Sequence, residues 1–540
     1  MLSKFAVIFA VMAACLSWST LAAAQESRSG SKPKASVQAE LSEVLQELGR
    51  AYAQKQYATA LVHCERAMAL ESDVPELMLM CLQLYMQNER QLEALSLSQQ
   101  IHARFPEVAR SASLCFVEAT LYTKLERWDE AVESYSRCPE LEDEAYGTTL
   151  SNLAELEMIR GRLSESIAKY DVSLGLFPNN PHAYFGQVVA LVRHGDWRLA
   201  ESRFLEGVSY DPDLKFLREA FFVPEGEPHF HRAVLAIFSR RYDVAAFELA
   251  QYVSKEQRVN YREIGKAMVK RLLSVSRTSN PLLGAYPVLL DMVDGIAIDA
   301  SGRFLAFAER KSGAVWILDT ETGRVNRRLE QDQYVRGMSF VEGTAELRLV
   351  TRKQRIAFDA SDFEEGYTYY ENYEAFSPVG LMPQGDEVLN ATTEGRICTT
   401  AFLDETHCQE VTLIPNDTRR VVFLPDFSRM LIVTTRSVHL VDVMNDRLIE
   451  SRISDHMLSS IAAHPRRAIF ALGMSSATLL VDSEGRVLAR LASQGELPVV
   501  SLAFDPMGRY LVTLSGTLLE VWDVELALRP QVFAFEEGSE

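Results

Sequence analysis

Small side chains recur at a fixed long interval in the first half of this 540-residue chain, and no other feature restricts its fold as much. Ser166 and Ala200 are 34 residues apart, and Ala131 precedes Ser166 by 35. Twelve residues after Ala94, Ser166 and Ala200 stand Pro106, Pro178 and Pro212. From Val37 onward the apolar residues between these marks follow the helical spacing, so the period describes stacked pairs of helices. Two antiparallel helices approach closely only where side chains are small, and the larger residues between fill the groove to the next pair. Ala60, Ala94, Ala131, Ser166 and Ala200 are therefore expected to be structural.

The segments LYMQNERQLEALSLSQQIHARFP, LYTKLERWDEAVESYSRCP, EMIRGRLSESIAKYDVSLGLFP and LVRHGDWRLAESRFLEGVSYDP resemble tetratricopeptide repeats. The fifth unit carries the resemblance on Tyr184, Leu191, Gly195, Trp197, Ala200, Phe204 and Pro212; an earlier one has Gly49, Tyr52, Tyr57, Ala60 and Ala67. Five repeats over 37–212 are expected, then a sixth divergent hairpin and a capping helix to Ser276. By the family's register the resemblance implies a concave face lined by Leu79, Gln83 and Met86, then Phe116, Thr120 and Lys124, then Ser151, Glu155 and Met158, then Phe185, Val189 and Arg193. Such faces take an extended peptide or a helix. The set departs from the Lys and Asn clamp that holds a terminal carboxylate in chaperone-binding relatives. An alternative stays open, in which several of these residues face a neighbouring helix or the second domain.

Near Asn280-Pro281 the pattern changes to short β-branched runs separated by Gly, Asp and Pro. Six units each place an Asp after a third apolar run, at 319, 359, 404, 442, 482 and 523, with spacings of 40, 45, 38, 40 and 41. With the strand-turn-strand units at Asp299 to Ala306 and Asp505 to Val512, this resembles WD-repeat propeller blades. Only Trp522-Asp523 shows the literal dipeptide, and the early Gly-His pair is missing. The fold class is thus an α + β multidomain protein, an all-α solenoid followed by an all-β propeller of six blades. Seven remain the alternative if Tyr286 to Asp291 and a further segment build another. Terminal strands would share one blade, because closing the ring removes exposed sheet edges. The expected division is a signal at 1–24, a flexible tether at 25–36, a solenoid at 37–276, a linker at 277–285, a propeller at 286–535 and an acidic tail at 536–540.

Lys4, the unbroken apolar run Phe5 to Leu16 and Ala22-Ala23-Ala24 form a secretory signal, with a mature chain from Gln25. A competing reading makes Cys15 a lipidated anchor. The run is short of the roughly 20 residues that span a bilayer, so the chain is not expected to cross one, although a partner could hold it at a membrane. The style suits export in a Gram-negative bacterium, to the periplasm or outside the cell. With 55 Lys and Arg against 74 Asp and Glu, a net charge of −19 disfavours nucleic acid as a partner.

Of seven cysteines, six remain after the signal, in three local pairs: Cys64 with Cys81, Cys115 with Cys138, and Cys398 with Cys408. Each pair faces across a hairpin and could form a staple in an oxidising compartment, or be small buried hydrophobes in helices too far apart to bridge. No metal motif, phosphate loop, nucleophile elbow or haem signature is present, so no metal, cofactor or catalytic residue is assigned. His102, His182, His194 and His229 read as surface or repeat residues, and His229 with His231 could meet a metal only from a strand face. The blade Asp residues at 319, 442, 482 and 523 more simply cap turn backbones than act as acids. Four tyrosines among acids in the second blade, Tyr367, Tyr369, Tyr370 and Tyr373, form either a binding platform for sugars, cations or a basic loop, or an outer strand with a solvated turn. The expected function is a non-enzymatic scaffold that grips protein partners by solenoid groove and propeller rim. The alternative is an enzyme or ligand sensor with its pocket in the propeller channel, acting on cell-wall or carbohydrate material.

Overall fold

The structure is a computed structural model that describes residues 32–529, apart from 109–110, 140–143, 216–225, 275–279, 289–292, 311–312, 330–334, 352–353, 361–364, 371–375, 382–386, 393–395, 402–403, 414–417, 426–427, 435–437, 444, 446, 450–457 and 496. The expected signal, Cys15 and the tail 536–540 lie outside the described residues. Before the first strand come α1 (Lys32–Ala53), α2 (Tyr57–Leu70), α3 (Pro75–Gln87), α4 (Gln91–Arg104), α5 (Ala112–Lys124), α6 (Trp128–Ser136), α7 (Glu144–Ile159), α8 (Leu163–Leu176), α9 (Pro181–His194), α10 (Trp197–Tyr210), α11 (Glu227–Phe238), α12 (Tyr242–Lys255) and α13 (Val259–Ser274). Helix α1 begins at Lys32, inside the stretch read as a tether, since Pro33 is tolerated in a helix's first turn. Packing divides the chain into two compact units, Met1–His194 with Phe221–Pro228, and Gly195–Ala220 with His229–Glu540.

In the first unit the spacing of small residues does what the sequence implies. Ala60, Ala94, Ala131 and Ser166 are all fully buried, and each lies on the second helix of a hairpin, where a larger side chain would force the axes apart. Prolines start α3 and α9, where the missing N–H is not needed. Ser111 caps α5 by accepting from the Leu114 N–H at 3.2 Å. Cys64 and Cys81 are bridged between α2 and α3, with α-carbons 5.7 Å apart, and Cys115 to Cys138 at 5.4 Å. The helix axes are therefore close enough at both places.

One residue in each turn between paired helices adopts a left-handed backbone, at Lys55, Glu89, Glu126, Gly161, Gly195 and Arg240. Only two are glycine, and the others carry the cost of a Cβ in that region, about 1–2 kcal/mol. Glu126 is exposed. Glu126→Gly is expected to raise the stability of the helical unit by about 0.5–1 kcal/mol after glycine's entropy is counted, read as a higher melting temperature by circular dichroism. An unchanged or lower melting point would contradict it.

Among the described residues the second unit holds six four-stranded antiparallel sheets, at 293–329, 337–370, 376–413, 418–449, 460–492 and 499–523, the last completed by Leu282–Pro287. We number them first to sixth in that order. First strands pack on first strands, from the fifth sheet to the sixth, from the sixth to the first, then to the second and third, and from the fourth to the fifth, which makes a β-propeller. The stretch read as a linker thus ends in a strand: Leu282–Pro287 pairs with Leu518–Asp523 and ties the start of the propeller to its end. Cores lie between adjacent sheets. Ala308 and Ile317 of the first meet Leu349 and Phe358 of the second, and Ile469 and Leu480 of the fifth meet Phe504 and Trp522 of the sixth. Five of the six Asp residues end third strands as expected. Asp404 instead opens a fourth strand, Asp404–Leu413, opposite Ala401.

Helices α10, α12 and α13, and α11 from His229 on, belong to this same unit. Their turns dock on the fifth sheet through buried polar contacts. Arg490, on its outer strand, donates from Nε to the Pro212 carbonyl at 2.8 Å, from Nη1 to Ser239 Oγ at 2.9 Å and from Nη2 to Ser476 Oγ at 3.3 Å. Asp213 accepts from the Ser476 N–H at 3.0 Å. From the helical side Arg240 Nη2 reaches the carbonyls of Ala527 and Arg529 at 3.0 and 2.7 Å, and Arg241 that of Ser493 at 3.1 Å.

Candidate functional site

The first helices α3, α5 and α7 bring part of the expected groove together. Leu79 and Gln83 on α3, Phe116, Thr120 and Lys124 on α5, and Glu155 on α7 are all half-buried. Such surfaces keep apolar area available while their polar ends stay wet. A polar ladder fixes their rotamers. Thr120 Oγ1 donates to the Phe116 carbonyl at 2.8 Å and lies 3.2 Å from the Tyr135 hydroxyl, to which Asn152 donates at 3.1 Å. The Phe116 and Tyr135 rings meet edge to face, centroids 5.8 Å apart. Burial pushes the Tyr135 phenol up to about 12, so it stays a neutral hydrogen-bonding group across the physiological range. Lys124 Nζ reaches the Met86 carbonyl at 3.4 Å, and Glu155 pairs with His182 at 3.0 Å.

Six expected groove positions are not open. Met86, Met158, Phe185, Val189 and Arg193 are buried, as is Ser151. At Arg193 the covering group is visible, because both Glu227 oxygens accept from its Nη2, at 3.0 and 2.8 Å, in a fully buried pair. The family register says which way a side chain points and nothing about what the rest of the chain lays over it. Asn152, Tyr135 and His182 are the groove residues that sequence reasoning missed or set aside. Their only signal was position, one helical turn or one neighbouring helix from Thr120 and Glu155.

Sequence-flagged groups in the second unit mostly serve the backbone. Asp319 Oδ1 accepts from the N–H groups of Glu321 and Thr322 at 2.9 and 3.2 Å, and Asp482 Oδ1 from Glu484 and Arg486 at 2.9 Å each. Burial works against ionising Asp319, yet those two donors and Arg303 hold its carboxyl below the usual range. Asp442 accepts from the Asn445 N–H, and Asp523 caps α14 (Val524–Leu528) through the Leu526 N–H. Asp299 and Asp505 do the same within the turn after the first strand. His229 and His231 sit on helix α11, where a spacing of two points them to different sides, and His229 meets Glu248 at 2.6 Å. No cluster of three or more metal-ligating side chains occurs among the described residues.

Tyr367, Tyr369 and Tyr370 lie on Glu365–Tyr370, the outer strand of the second sheet, in register with Ala357, Arg355 and Gln354. Tyr373 lies outside the described residues. Cys398 and Cys408 sit on adjoining strands, with Cys398 opposite Glu410, and their side chains lie outside the described set. His102, read from the sequence as a surface or repeat residue, is partly exposed and lies 2.7 Å from the buried Glu118. Among the described residues no helix is long and apolar enough to cross a membrane.

No family model matches the sequence. No curated protein matches it either. Among solved structures, that of U3-55K is similar at 16% identity and a TM-score of 0.32, covering 43% of this chain and 80% of that one. The structure of the RRP9 WD40 repeats is similar at 15% identity and a TM-score of 0.31, covering 43% and 79%. At those values the likeness adds nothing to the propeller geometry already described.

Proposed function

We propose that this protein is an exported, non-enzymatic scaffold whose helical unit is of the tetratricopeptide type and whose six sheets are the blades of a WD-repeat-like propeller. The observation that supports it best is the half-buried row of Leu79, Gln83, Phe116, Thr120, Lys124 and Glu155 on three successive first helices. That row offers rigid apolar area flanked by one cation and one carboxylate, which suits an extended peptide or a helix. The two disulfides of the helical unit agree with export to an oxidising compartment, the periplasm or beyond. The propeller rim, with the tyrosine strand of the second sheet, is the second contact surface in this reading. Two rigid surfaces on one chain supply avidity without chemistry.

Photocrosslinking tests the groove directly. A photoreactive side chain at Phe116 or Gln83 is expected to capture a discrete protein in the native envelope, while one at the exposed Val172 on α8 captures none. Equal capture from both helix faces, or none from either, would overturn the assignment.

A further inference from the structure

One turn of the propeller replaces an aspartate with a histidine. Asp299 and Asp505 follow the first strands of the first and sixth sheets and accept backbone N–H groups of their own turns, at 2.7 and 3.1 Å and at 2.6 and 2.9 Å. His464 stands at the same place in the fifth sheet. Its Nδ1 accepts from the N–H groups of Arg466 and Arg467, each at 3.0 Å, and its Nε2 donates to the Gly508 carbonyl of the sixth sheet at 3.0 Å. The ring lies against Phe504, centroids 5.1 Å apart, and a Cβ at Gly508 would collide with it. These bonds require the neutral tautomer with its proton on Nε2, because a second proton on Nδ1 would face two N–H donors.

The two arginines of this turn reach well beyond it. Arg466 Nη2 contacts the carboxylate of Glu342 and the Met507 sulfur, the latter at 3.0 Å, and Arg467 contacts Glu525 on α14. Glu342 follows the first strand of the second sheet. The first strand of that sheet packs on those of the first and third sheets, whereas that of the fifth packs on those of the fourth and sixth. The Arg466–Glu342 pair therefore joins sheets that are not neighbours in the ring, across the end of the first strands.

We propose that this ion pair is a latch closing one mouth of the propeller, and that protonation of His464 releases it. The charged and titratable groups around His464 are Arg466 and Arg467 of its own turn, Asp505 and Arg509 of the sixth-sheet turn, Glu525 of α14 and Glu342 across the mouth. Burial holds the imidazole down at about 4, helped by Arg467 and Arg466 and opposed by the Gly508 carbonyl and Glu525. A folded-state value below the ordinary 6.5 means that the contribution of His464 is intact above that value and declines as pH falls toward 4.

Hydrogen exchange on the full chain at pH 7.5 and pH 5.2 tests this while exposed carboxylates stay mostly ionised. After correction for intrinsic rates, amides of 464, 466 and 467 should lose about 10- to 20-fold in protection at the lower pH, since each unit below the ordinary value is tenfold, and those of 341–346 should lose up to about fivefold, because the Arg466–Glu342 pair is half exposed. Amides of 299–304, the aspartate turn, should hold theirs. His464→Asn keeps an acceptor near Nδ1, gives up the bond to the Gly508 carbonyl and does not titrate, so its protection should be the same at both values. His464→Asp, which installs the residue of the neighbouring turns, should show no loss of protection at the lower pH, since burial raises the equivalent Asp505 carboxyl. No loss in the wild type, an equal loss in either variant, or opening of 464–467 without 341–346 would overturn the proposal.

Discussion

Replacing Arg490 with methionine is expected to destabilise the propeller unit by about 3–5 kcal/mol, the cost of removing one partner from a buried charged cluster. The guanidinium is buried, and loss of water lowers its pKa to about 10, partly opposed by Asp213 and Asp211. It stays charged at neutral pH and supplies donors to the Pro212 carbonyl, Ser239 Oγ and Ser476 Oγ. Methionine fills similar volume but leaves those acceptors dry and removes the cation whose field reaches Asp213, which keeps Lys215 at 3.6 Å. Unfolding in urea followed by the fluorescence of Trp522, which is buried between the fifth and sixth sheets, should show an earlier midpoint. A shift of less than about 1 kcal/mol would mean that water replaces the guanidinium and that the docked turns are not cooperative with the sheet.

Reduction of the two helical disulfides is the second large effect. Cys64–Cys81 closes 17 residues and Cys115–Cys138 closes 23. Chain entropy gives about 3 kcal/mol for each loop, lost when the unfolded chain regains its freedom. All four sulfurs are buried within helical cores, so the reduced thiols remain packed and the effect falls on the unfolded state. The helical unit should melt many degrees lower with reductant, whereas a Cys64→Ala/Cys81→Ala/Cys115→Ala/Cys138→Ala chain should be insensitive to it. Identical melting of the wild type with and without reductant would show that the bridges contribute nothing.

The helical period was readable because Ala60, Ala94, Ala131, Ser166 and Ala200 mark a steric requirement that only small side chains meet. The sheets were readable because an apolar run followed by a turn-capping Asp recurs near every forty residues. Other features left no local trace. Lys55, Glu89 and Arg240 occupy left-handed positions where glycine would have announced the turn. Burial of Phe185, Val189 and Arg193 depends on groups distant in sequence, of which Glu227 is one. Sequence also put the domain boundary at a short linker, whereas Arg240, Arg241 and Arg490 place the last helices with the propeller, through contacts between residues some 250 or more positions apart. His464 has no local mark in the sequence, because what sets it apart is an Nδ1 that stands in the place of an aspartate oxygen.

The scaffold reading stands or falls on a partner. Quantitative mass spectrometry of a tagged, signal-bearing full chain, recovered from its native envelope after mild crosslinking, should yield at least one protein near equal stoichiometry. Its recovery should drop at least tenfold, about 1.4 kcal/mol of binding, in a Phe116→Glu/Lys124→Glu chain that melts like the wild type. A chain recovered alone, or a partner retained undiminished by that variant, would contradict the account.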